Sequence, residues 1–513
     1  MSKILKLWAL ISTPDYEYSV TPVWILKNKV TREQATNLLV ECIKNDIHRI
    51  VIRPDINNID NIKHGSKEYF DTVKDIISVA RKLEMKVIVY DDVLTTYVNA
   101  NKDDIEQKNI LVPMNLSTDI QVEEYITSTC EKYYDELKEY FGNTVIGFYV
   151  DAKNPTRENQ LTKIDTKNYT NVFYKKMYEW CEKHYVELIG HPENDKSITQ
   201  TMNFNTFGQD MIIDVNKTKE ENLRAIKNSQ IKLTVDMAKC LKKRRNLNMC
   251  FNKEEKGKHF SIEDIKAYIN HLAINGVNMY LYYGIYSTLN EVSKVDYIDK
   301  DKELKFVRYI NRLSYLLTDN INNAKVAVVC EDNNVPSDEL VCLYENQIEF
   351  NYIPANMLLN GFVNEKGNYE LLENEYEVVI NLIGSDEKYL AGSKIIRSVD
   401  ELAQYVQNAN KVLKIQARTI RYMEFYKGER KLHMLVNEGD KEEIISLNNK
   451  EKVLGIELRL WNEEARVINL DSDIVIQPSE AIVLIEFATT NREKIDYVVG
   501  ELNSNKSNIY ISN

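Results

Sequence analysis

The strongest constraint on the fold is a regular alternation of short apolar runs with longer amphipathic stretches, from the N-terminus to about residue 320. The eight apolar runs are typical of strands and lie at 23–26, 49–53, 86–91, 145–151, 186–191, 210–215, 247–252 and 278–284. Strands separated by helices pair in parallel, and eight successive units close most simply into a barrel. The pattern predicts a (β/α)8 TIM barrel over 1–322, with a doubly wound open sheet as the alternative.

The stretches between these runs carry helix-start signals. Thr31 opens a helical stretch at 31–45, and 66–84 and 122–140 show the same periodicity. Ser261 has Asp264 three residues later, which is the spacing of a capping box. These signals predict helices between the strands.

Two further regions follow the predicted barrel. Residues 323–410 mix strand runs with helical stretches near 337–346 and 398–408, which predicts a small α/β domain. From 411 to 513 short alternating runs dominate, which predicts a β-sandwich with a loose C-terminal tail. The strand runs of both regions are predicted at 324–330, 350–354, 376–382, 412–419, 431–439, 441–447, 453–461 and 481–487.

Composition excludes several classes of function. The net charge of −12 argues against a nucleic-acid partner, because neutralising phosphates requires clustered Lys and Arg. No apolar run approaches the roughly 18 residues of a membrane span. No metal-ligand spacing or GxGxxG motif is present, so we predict no metal and no cofactor. The chain has an odd number of cysteines, which indicates reduced thiols in a cytoplasmic protein. They are Cys42, Cys130, Cys181, Cys240, Cys250, Cys330 and Cys342.

Polar side chains follow most of the predicted strands. In a barrel of this type the functional site lies at the C-terminal ends of the strands. We therefore predict that a polyhydroxylated ligand binds there, at the barrel mouth. The candidate binding residues are Arg53, Tyr90, Asp91, Asp92, His191, Glu193, Asn194, Asn252, Tyr282 and Tyr283.

The order of several blocks resembles the bacterial α-L-rhamnosidase-type barrel glycosidases. The matching blocks are TPVWILKNKVTREQA, RIVIRP, GSKEYFDTVKDIISVARKLEMKVIVYDD, VIGFYVD, FYKKMYEWCEKHYVELIGHPEND and AYINHLAINGVNMYLYY. The resemblance covers roughly residues 20–487. It implies a barrel followed by a flavodoxin-like or amidotransferase-like α/β domain and a β-sandwich. It also implies a carbohydrate or glycosylated small molecule as ligand, with His191 at the substrate pocket.

The same resemblance points to gaps in the catalytic machinery. It implies a glutamate after strand 4, where this chain has Ala152, and another after strand 7, where Cys250-Phe251-Asn252 holds no carboxylate. Glycoside cleavage needs two carboxyl groups that flank the scissile bond. One interpretation is a carbohydrate-binding barrel with weakened or lost hydrolysis. A second is an active glycosidase with displaced carboxylates, Asp151 as the acid and Glu254 or Glu255 as base or nucleophile.

A third interpretation is a non-catalytic scaffold that binds a protein partner. In that case the α/β domain and the sandwich would form a homo-oligomer. The sequence leaves these interpretations open, and it names neither the sugar nor the stereochemistry of a reaction.

Overall fold

The structure is a computed structural model. It describes residues 10–26, 28–54, 65–91, 130–151, 166–191, 202–211, 213, 217–223, 226–250, 261–283, 300–322, 324–331, 335–448 and 453–486.

Eight parallel strands close into a barrel, which confirms the predicted (β/α)8 fold. The sheet closes where Thr21 of the first strand pairs with Leu281 of the eighth. The strands are β1 Thr21–Leu26, β2 Arg49–Pro54, β3 Lys86–Asp91, β4 Val145–Asp151, β5 Glu187–His191, β6 Thr206–Gly208, β7 Asn246–Cys250 and β8 Met279–Tyr283.

The sixth strand is not where the sequence predicted it. The prediction placed it at 210–215, but β6 is the run that ends at Gly208. Gly208 pairs with Leu247 of β7, and a Cβ on this glycine would lie 1.5 Å from the Leu247 carbonyl oxygen. This close approach requires glycine, so the ladder forms at the short TFG run. Met211 and Ile213 of the predicted run are instead buried in the core outside the barrel interior.

Helices surround the barrel, and their N-termini follow the sequence signals. Thr31 and Gln34 form a capping box, in which the Thr31 Oγ1 accepts from the Gln34 N–H at 3.2 Å. Ser261 and Asp264 form a second one, as predicted. The described helices here are α1 Arg32–Lys44, α2 Lys67–Lys82, α3 at 130–137, α4 Thr166–Lys183, α5 Lys219–Leu223, α6 Ile226–Cys240, α7 Ile262–Ile274 and α8 Lys300–Leu317.

Two apolar layers hold the barrel together. One fills the interior, and the other lies between the strands and the helices. Alternate residues of a strand point to opposite sides of the sheet, which divides each strand between the two layers. The interior layer contains Val23, Val51, Ile88, Tyr90, Tyr149, Ile189, Leu247, Met249, Met279 and Leu281.

None of the helices in the ranges given above is long and apolar enough to cross a membrane.

A small α/β unit follows, as predicted. Four of its strands form a parallel sheet in the order β11-β10-β15-β16, and three others form an antiparallel sheet. Its helices are α9 Val341–Glu345 and α10 Val399–Asn408. The strands that follow the barrel are β9 Asn320–Asn322, β10 Val326–Cys330, β11 Phe350–Pro354, β12 Gly361–Val363, β13 Tyr369–Leu371, β14 Asn374–Tyr376, β15 Val378–Ile380 and β16 Ile395–Ile396.

The C-terminal part is a sandwich of two antiparallel sheets, which confirms the predicted fold class. A six-stranded sheet has the order β21-β20-β23-β18-β17-β9, and β19 pairs with β22. The predicted strand at 412–419 is wrong, because only Leu413 forms a bridge, to Leu447. The domain boundaries stay a prediction. The strands are β17 Ile420–Lys427, β18 Arg430–Asn437, β19 Glu443–Ile445, β20 Leu454–Arg459, β21 Glu464–Asn469, β22 Ile474–Ile476 and β23 Ala481–Glu486.

Candidate functional site

Five side chains from successive strands form a continuous row at the C-terminal end of the barrel, which we call the mouth row. It consists of Arg53 on β2, Tyr90 on β3, Tyr149 on β4, His191 on β5 and Asp210 just after β6. The Arg53 Cζ lies 4.5 Å from the centroid of the Tyr90 ring. The rings of Tyr90 and Tyr149 stack with centroids 4.7 Å apart and an interplanar angle of 23°. The members of the mouth row are far apart in the sequence but lie side by side at the C-terminal end of the barrel.

Strand register brings the row together. Tyr90 pairs with Tyr149 across β3 and β4, after an irregularity in the register at Val87 and Ile88. On β5, Gly190 precedes His191, and a Cβ on that glycine would lie 2.1 Å from the carbonyl oxygen of Val150. The glycine thus allows β5 to lie close against β4 at the mouth.

One hydrogen bond and one ion pair connect the last three members of the row. The Tyr149 hydroxyl is hydrogen-bonded to the Nδ1 of His191. The Nε2 of His191 lies 2.9 Å from the Oδ1 of Asp210. The same oxygen accepts a hydrogen bond from the Met249 N–H at 2.9 Å. The His191 imidazole thus lies between the Tyr149 hydroxyl and the Asp210 carboxylate, at ion-pair distance from the latter.

Exposure decides which members can meet a ligand. Both tyrosines are fully buried, and His191 is only 7% exposed. The Asp210 side chain is 29% exposed, and Arg53 is half-buried. The row therefore has a buried centre and two charged ends that reach the surface. A guanidinium donates hydrogen bonds and a carboxylate accepts them, which suits the hydroxyl groups of a polar ligand.

The buried centre gives Tyr90 a role other than the predicted direct contact with ligand. Its ring lies under the Arg53 guanidinium and against the Tyr149 ring. A cation over an aromatic face is held by the ring quadrupole. Tyr90 therefore holds Arg53 in position at the mouth.

Tyr282 does not join the row, contrary to the prediction. Its ring packs edge-on against Phe306 of α8, with centroids 5.7 Å apart. Leu281, the residue before it, belongs to the interior layer, so strand alternation turns Tyr282 outward. The sequence pattern located β8 correctly but assigned this side chain to the wrong face.

Most of the remaining predicted residues lie outside the described part of the chain. These are Asp92, Glu193, Asn194, Asn252, Glu254 and Glu255, together with the side chains of Asp91, Asp151 and Tyr283. The backbone of Asp151 is described, and it pairs with His191 across β4 and β5. The catalytic pairing of Asp151 with Glu254 or Glu255 stays a prediction.

Sequence reasoning missed Asp210. The prediction placed this residue at the start of strand 6, at the opposite end from the mouth. The structure places it two residues after Gly208, where β6 ends. The TFG run before it was the available signal, because Asp210 is the first carboxylate after that run.

A metal site was not predicted. Within the ranges that the structure covers, no three His, Cys, Asp or Glu side chains form a group that could hold a metal ion. The mouth row has one such carboxylate and one imidazole, and these bond to each other.

Comparison with known proteins identifies the fold. No family model matches the sequence, and no curated protein matches it. Solved structures do match: the rhamnosidase from Novosphingobium sp. PP1Y has a TM-score of 0.55 at 12% identity. The match covers 74% of this chain and 48% of the rhamnosidase, so the chain spans about half the length of that enzyme.

Two β-galactosidases match over nearly their whole length. A GH42 enzyme from G. stearothermophilus has a TM-score of 0.60 at 8% identity, with 91% of this chain and 98% of that chain covered. The enzyme from Rahnella sp. R3 has a TM-score of 0.59 at 9% identity, with 93% and 99% covered. The chain has a glycoside-hydrolase fold. At such low identities the likeness of this fold does not extend to the reaction.

Proposed function

We propose that this chain binds a carbohydrate or glycoside in the mouth of its barrel, with hydrolysis weakened or lost. The observation that carries the proposal is the mouth row, in which a buried Tyr–His pair holds the surface-reaching carboxylate of Asp210. The likeness to solved rhamnosidase and β-galactosidase structures supports a sugar as the ligand class.

The hydrogen bonds of Asp210 support a binding role for its second oxygen. Oδ1 accepts a hydrogen bond from the Met249 N–H and lies at ion-pair distance from the His191 Nε2, and the two contacts orient the carboxylate. Oδ2 can then accept a hydrogen bond from a sugar hydroxyl. Preorganised polar groups of this kind orient ligands in barrel mouths.

Weakened hydrolysis follows from residue types at two positions. Ala152 stands where the resemblance implies one glutamate, and Phe251-Asn252 lies where it implies the other. None of these side chains can act as a general acid or a nucleophile at a glycosidic bond. Displacing a carboxylate by even about 1 Å can cost on the order of 100-fold in rate.

Equilibrium binding of an aryl-glycoside panel to the full chain tests the proposal. We expect saturable binding of at least one member and little product. Asp210→Asn should weaken that binding by about ten-fold or more, because a hydrogen bond to a charged acceptor contributes about 1.5–3 kcal/mol.

Asp46→Asn is the matched control. Asp46 follows α1 at the opposite end of the barrel and pairs with the Nε of Arg308 at 2.5 Å. Its φ of 56° suits asparagine as well as aspartate. This variant should bind like the parent. Equal affinity of the parent and Asp210→Asn would contradict the proposal, and failure of the whole panel would favour a scaffold that binds a protein partner.

The second candidate is an active glycosidase that uses Asp151 with Glu254 or Glu255. The pairing of Asp151 with His191 favours it, because the Asp151 backbone then reaches the mouth row. Its test is product release from the same aryl glycosides. Turnover that disappears in Asp151→Asn while binding persists would establish the enzyme and overturn the loss of hydrolysis.

We also propose a cytoplasmic location. The support is a set of reduced thiols, among which Cys42, Cys181 and Cys240 are free and buried. Burial raises the pKa of the Cys42 thiol to about 12, and that of Cys240 likewise to about 12. Such thiols are unreactive. Labelling of the native and the unfolded chain with a thiol reagent tests this, because most thiols should react only after unfolding.

A further inference from the structure

The opposite end of the barrel holds two buried arginines. Arg49 is the first residue of β2, and Arg245 directly precedes β7. Their exposed fractions are 8% and 7%. We call this end of the barrel the base. Arginine is rarely buried to this extent without a paired charge. The hydrogen-bond partners of the two guanidinium groups therefore show whether the base could bind an anion.

Each guanidinium is only partly satisfied. Arg49 Nη1 donates to the Glu17 carbonyl oxygen at 2.8 Å. Arg245 donates from Nη1 to Thr318 Oγ1 at 2.9 Å and from Nη2 to Ser314 Oγ at 3.3 Å. All three acceptors are neutral. The Nε atoms of both arginines are buried and find no hydrogen-bond partner in the described residues.

The acids of the base are engaged elsewhere. Glu17 accepts from Arg244 at 2.6 and 3.0 Å, and Asp319 accepts from the same guanidinium at 3.0 Å. Glu187, on β5, accepts from the Thr206 hydroxyl at 3.3 Å. Among the described side chains, no carboxylate forms an ion pair with Arg49 or Arg245, although the Glu187 and Glu17 charges partly offset that of Arg49, and the Glu17 charge that of Arg245.

The electrostatics agree with this excess of positive charge. Burial, together with the charges of Arg49 and Arg244, lowers the pKa of Arg245 to about 9. Burial also lowers the pKa of Arg49. Both guanidiniums lie against the same short segment, because Arg49 bonds the Glu17 carbonyl and the Arg245 Cζ lies 5.6 Å from the centroid of the Tyr18 ring. A buried charge without a partner costs several kcal/mol, and a bound anion removes that penalty.

We propose that the barrel base binds a small inorganic oxyanion, phosphate or sulfate, held by Arg49 and Arg245. The planar fork of a guanidinium matches two oxygens of such an anion, and the Nε–H is one of its prongs. This site is separate from the mouth row and does not depend on the proposed carbohydrate function. The alternative occupant is a buried water, which also accepts hydrogen bonds but carries no charge.

Thermal unfolding of the full chain in phosphate and in chloride, at equal ionic strength, tests the site. An anion that binds only the folded state raises the Tm in a saturable way. We expect a rise of about 2–4 °C at saturation. Sulfate should give a similar rise, and chloride should not. Broadening of the ³¹P resonance of phosphate by the native protein gives an independent readout that does not require unfolding.

Variants of opposite expected sign locate the site. Arg49→Gln and Arg245→Gln should each abolish the phosphate-dependent rise, and Arg245→Lys should reduce it, because lysine keeps the charge but loses the fork. Glu17→Gln should enlarge the rise, since it removes a negative charge from the base. Arg397→Gln is the control, because Arg397 forms an exposed pair with Glu387 in the α/β unit.

The Tm and ³¹P measurements distinguish a bound oxyanion from a buried water at the base. A parent that shows neither a saturable rise nor ³¹P broadening would overturn the proposal and assign a water to the base. A rise that survives in both glutamine variants would mean an anion bound elsewhere, and would overturn it as well. If a glutamine variant fails to fold, a ³¹P signal in the parent that Arg245→Lys weakens supports the site, and one that it leaves unchanged contradicts it.

Discussion

The mouth and the base of the barrel differ in how their buried ionisable side chains are paired. At the mouth, the Tyr149 hydroxyl is hydrogen-bonded to His191, and the Asp210 carboxylate accepts from the Met249 N–H and forms an ion pair with the His191 imidazole. At the base, Arg49 and Arg245 are buried with Nε donors unmatched in the described residues. An imidazole paired with a carboxylate orients a surface group, whereas buried guanidiniums without such an ion pair indicate a missing anionic acceptor.

The same strands carry both ends. Strand β2 begins at Arg49 and presents Arg53 at the mouth, and β6 spans only three residues between β5 and β7. A change in β6 should therefore disturb both ends together, whereas changes at one end should leave the other intact. The following predictions use that difference.

The largest effect is expected from Gly208→Ala. The added Cβ would lie 1.5 Å from the Leu247 carbonyl oxygen, and both atoms belong to the backbone or are fixed to it. The strands must separate, so we expect a loss of about 3 kcal/mol or more in the free energy of unfolding. Urea unfolding of the full chain measures it.

Gly384→Asn controls for the loss of a glycine. A Cβ there meets nothing within 4 Å, and asparagine tolerates the φ of +68°. Its effect should stay below about 1 kcal/mol. If Gly208→Ala were as mild as this control, the closure of the barrel at β6 and β7 would be wrong.

A smaller and more local effect is expected from Tyr149→Phe. The change leaves the His191 Nδ1 without its tyrosine partner, which costs about 1–3 kcal/mol of stability. Because His191 orients Asp210, glycoside affinity should also fall several-fold. Isothermal titration of the best-binding aryl glycoside measures this second part.

Tyr422→Phe provides a matched control in the sandwich. The Tyr422 hydroxyl is hydrogen-bonded to His433 Nδ1 at 2.7 Å and also donates to Glu424 at 3.3 Å, so the variant removes a Tyr–His hydrogen bond together with one weak additional bond. A comparable loss of stability with unchanged glycoside affinity is expected. Equal affinity losses in the two variants would show that the mouth pair has no specific role in positioning Asp210.

The smallest effect concerns acid stability at the base. The hydrogen bond from Arg244 lowers the pKa of Glu17 to about 2, below its ordinary value of 4.5. Glu17 therefore stabilises the fold fully above pH 4.5, and this contribution is lost as the pH falls towards 2. Because the pair is well exposed, it contributes less than about 1 kcal/mol.

Glu17→Gln should accordingly be slightly less stable than the parent at pH 7. The difference should shrink between pH 4.5 and pH 2. Urea midpoints at several pH values measure it. A difference that stays constant or grows on acidification would contradict the assignment of the Glu17–Arg244 pair.

The sequence predicted the barrel because hydrophobic periodicity is strong where strands are long. Runs such as those of β3 and β4 were located to the residue, and the caps at Thr31 and Ser261 marked helix starts. The failure at β6 has a physical cause. A three-residue strand that depends on a glycine contact has almost no apolar pattern.

Because of the wrong position of strand 6, the sequence prediction also missed Asp210 as a candidate site residue. With strand 6 placed too late, Asp210 lay at the wrong end of the barrel. Likewise, periodicity located β8 but did not reveal that Tyr282 faces the helices. The row itself depends on the register between β3 and β4, which includes an irregularity at Val87 and Ile88 that no local signal in the sequence specifies.

The position of a bound sugar tests the central claim most directly. A crystal of the full chain soaked with the best-binding aryl glycoside should show the sugar at the mouth. We predict a sugar oxygen within about 3.2 Å of Asp210 Oδ2, with Arg53 at the other end of the row beside it. A sugar bound at the base or on the sandwich, with the mouth row untouched, would contradict the account.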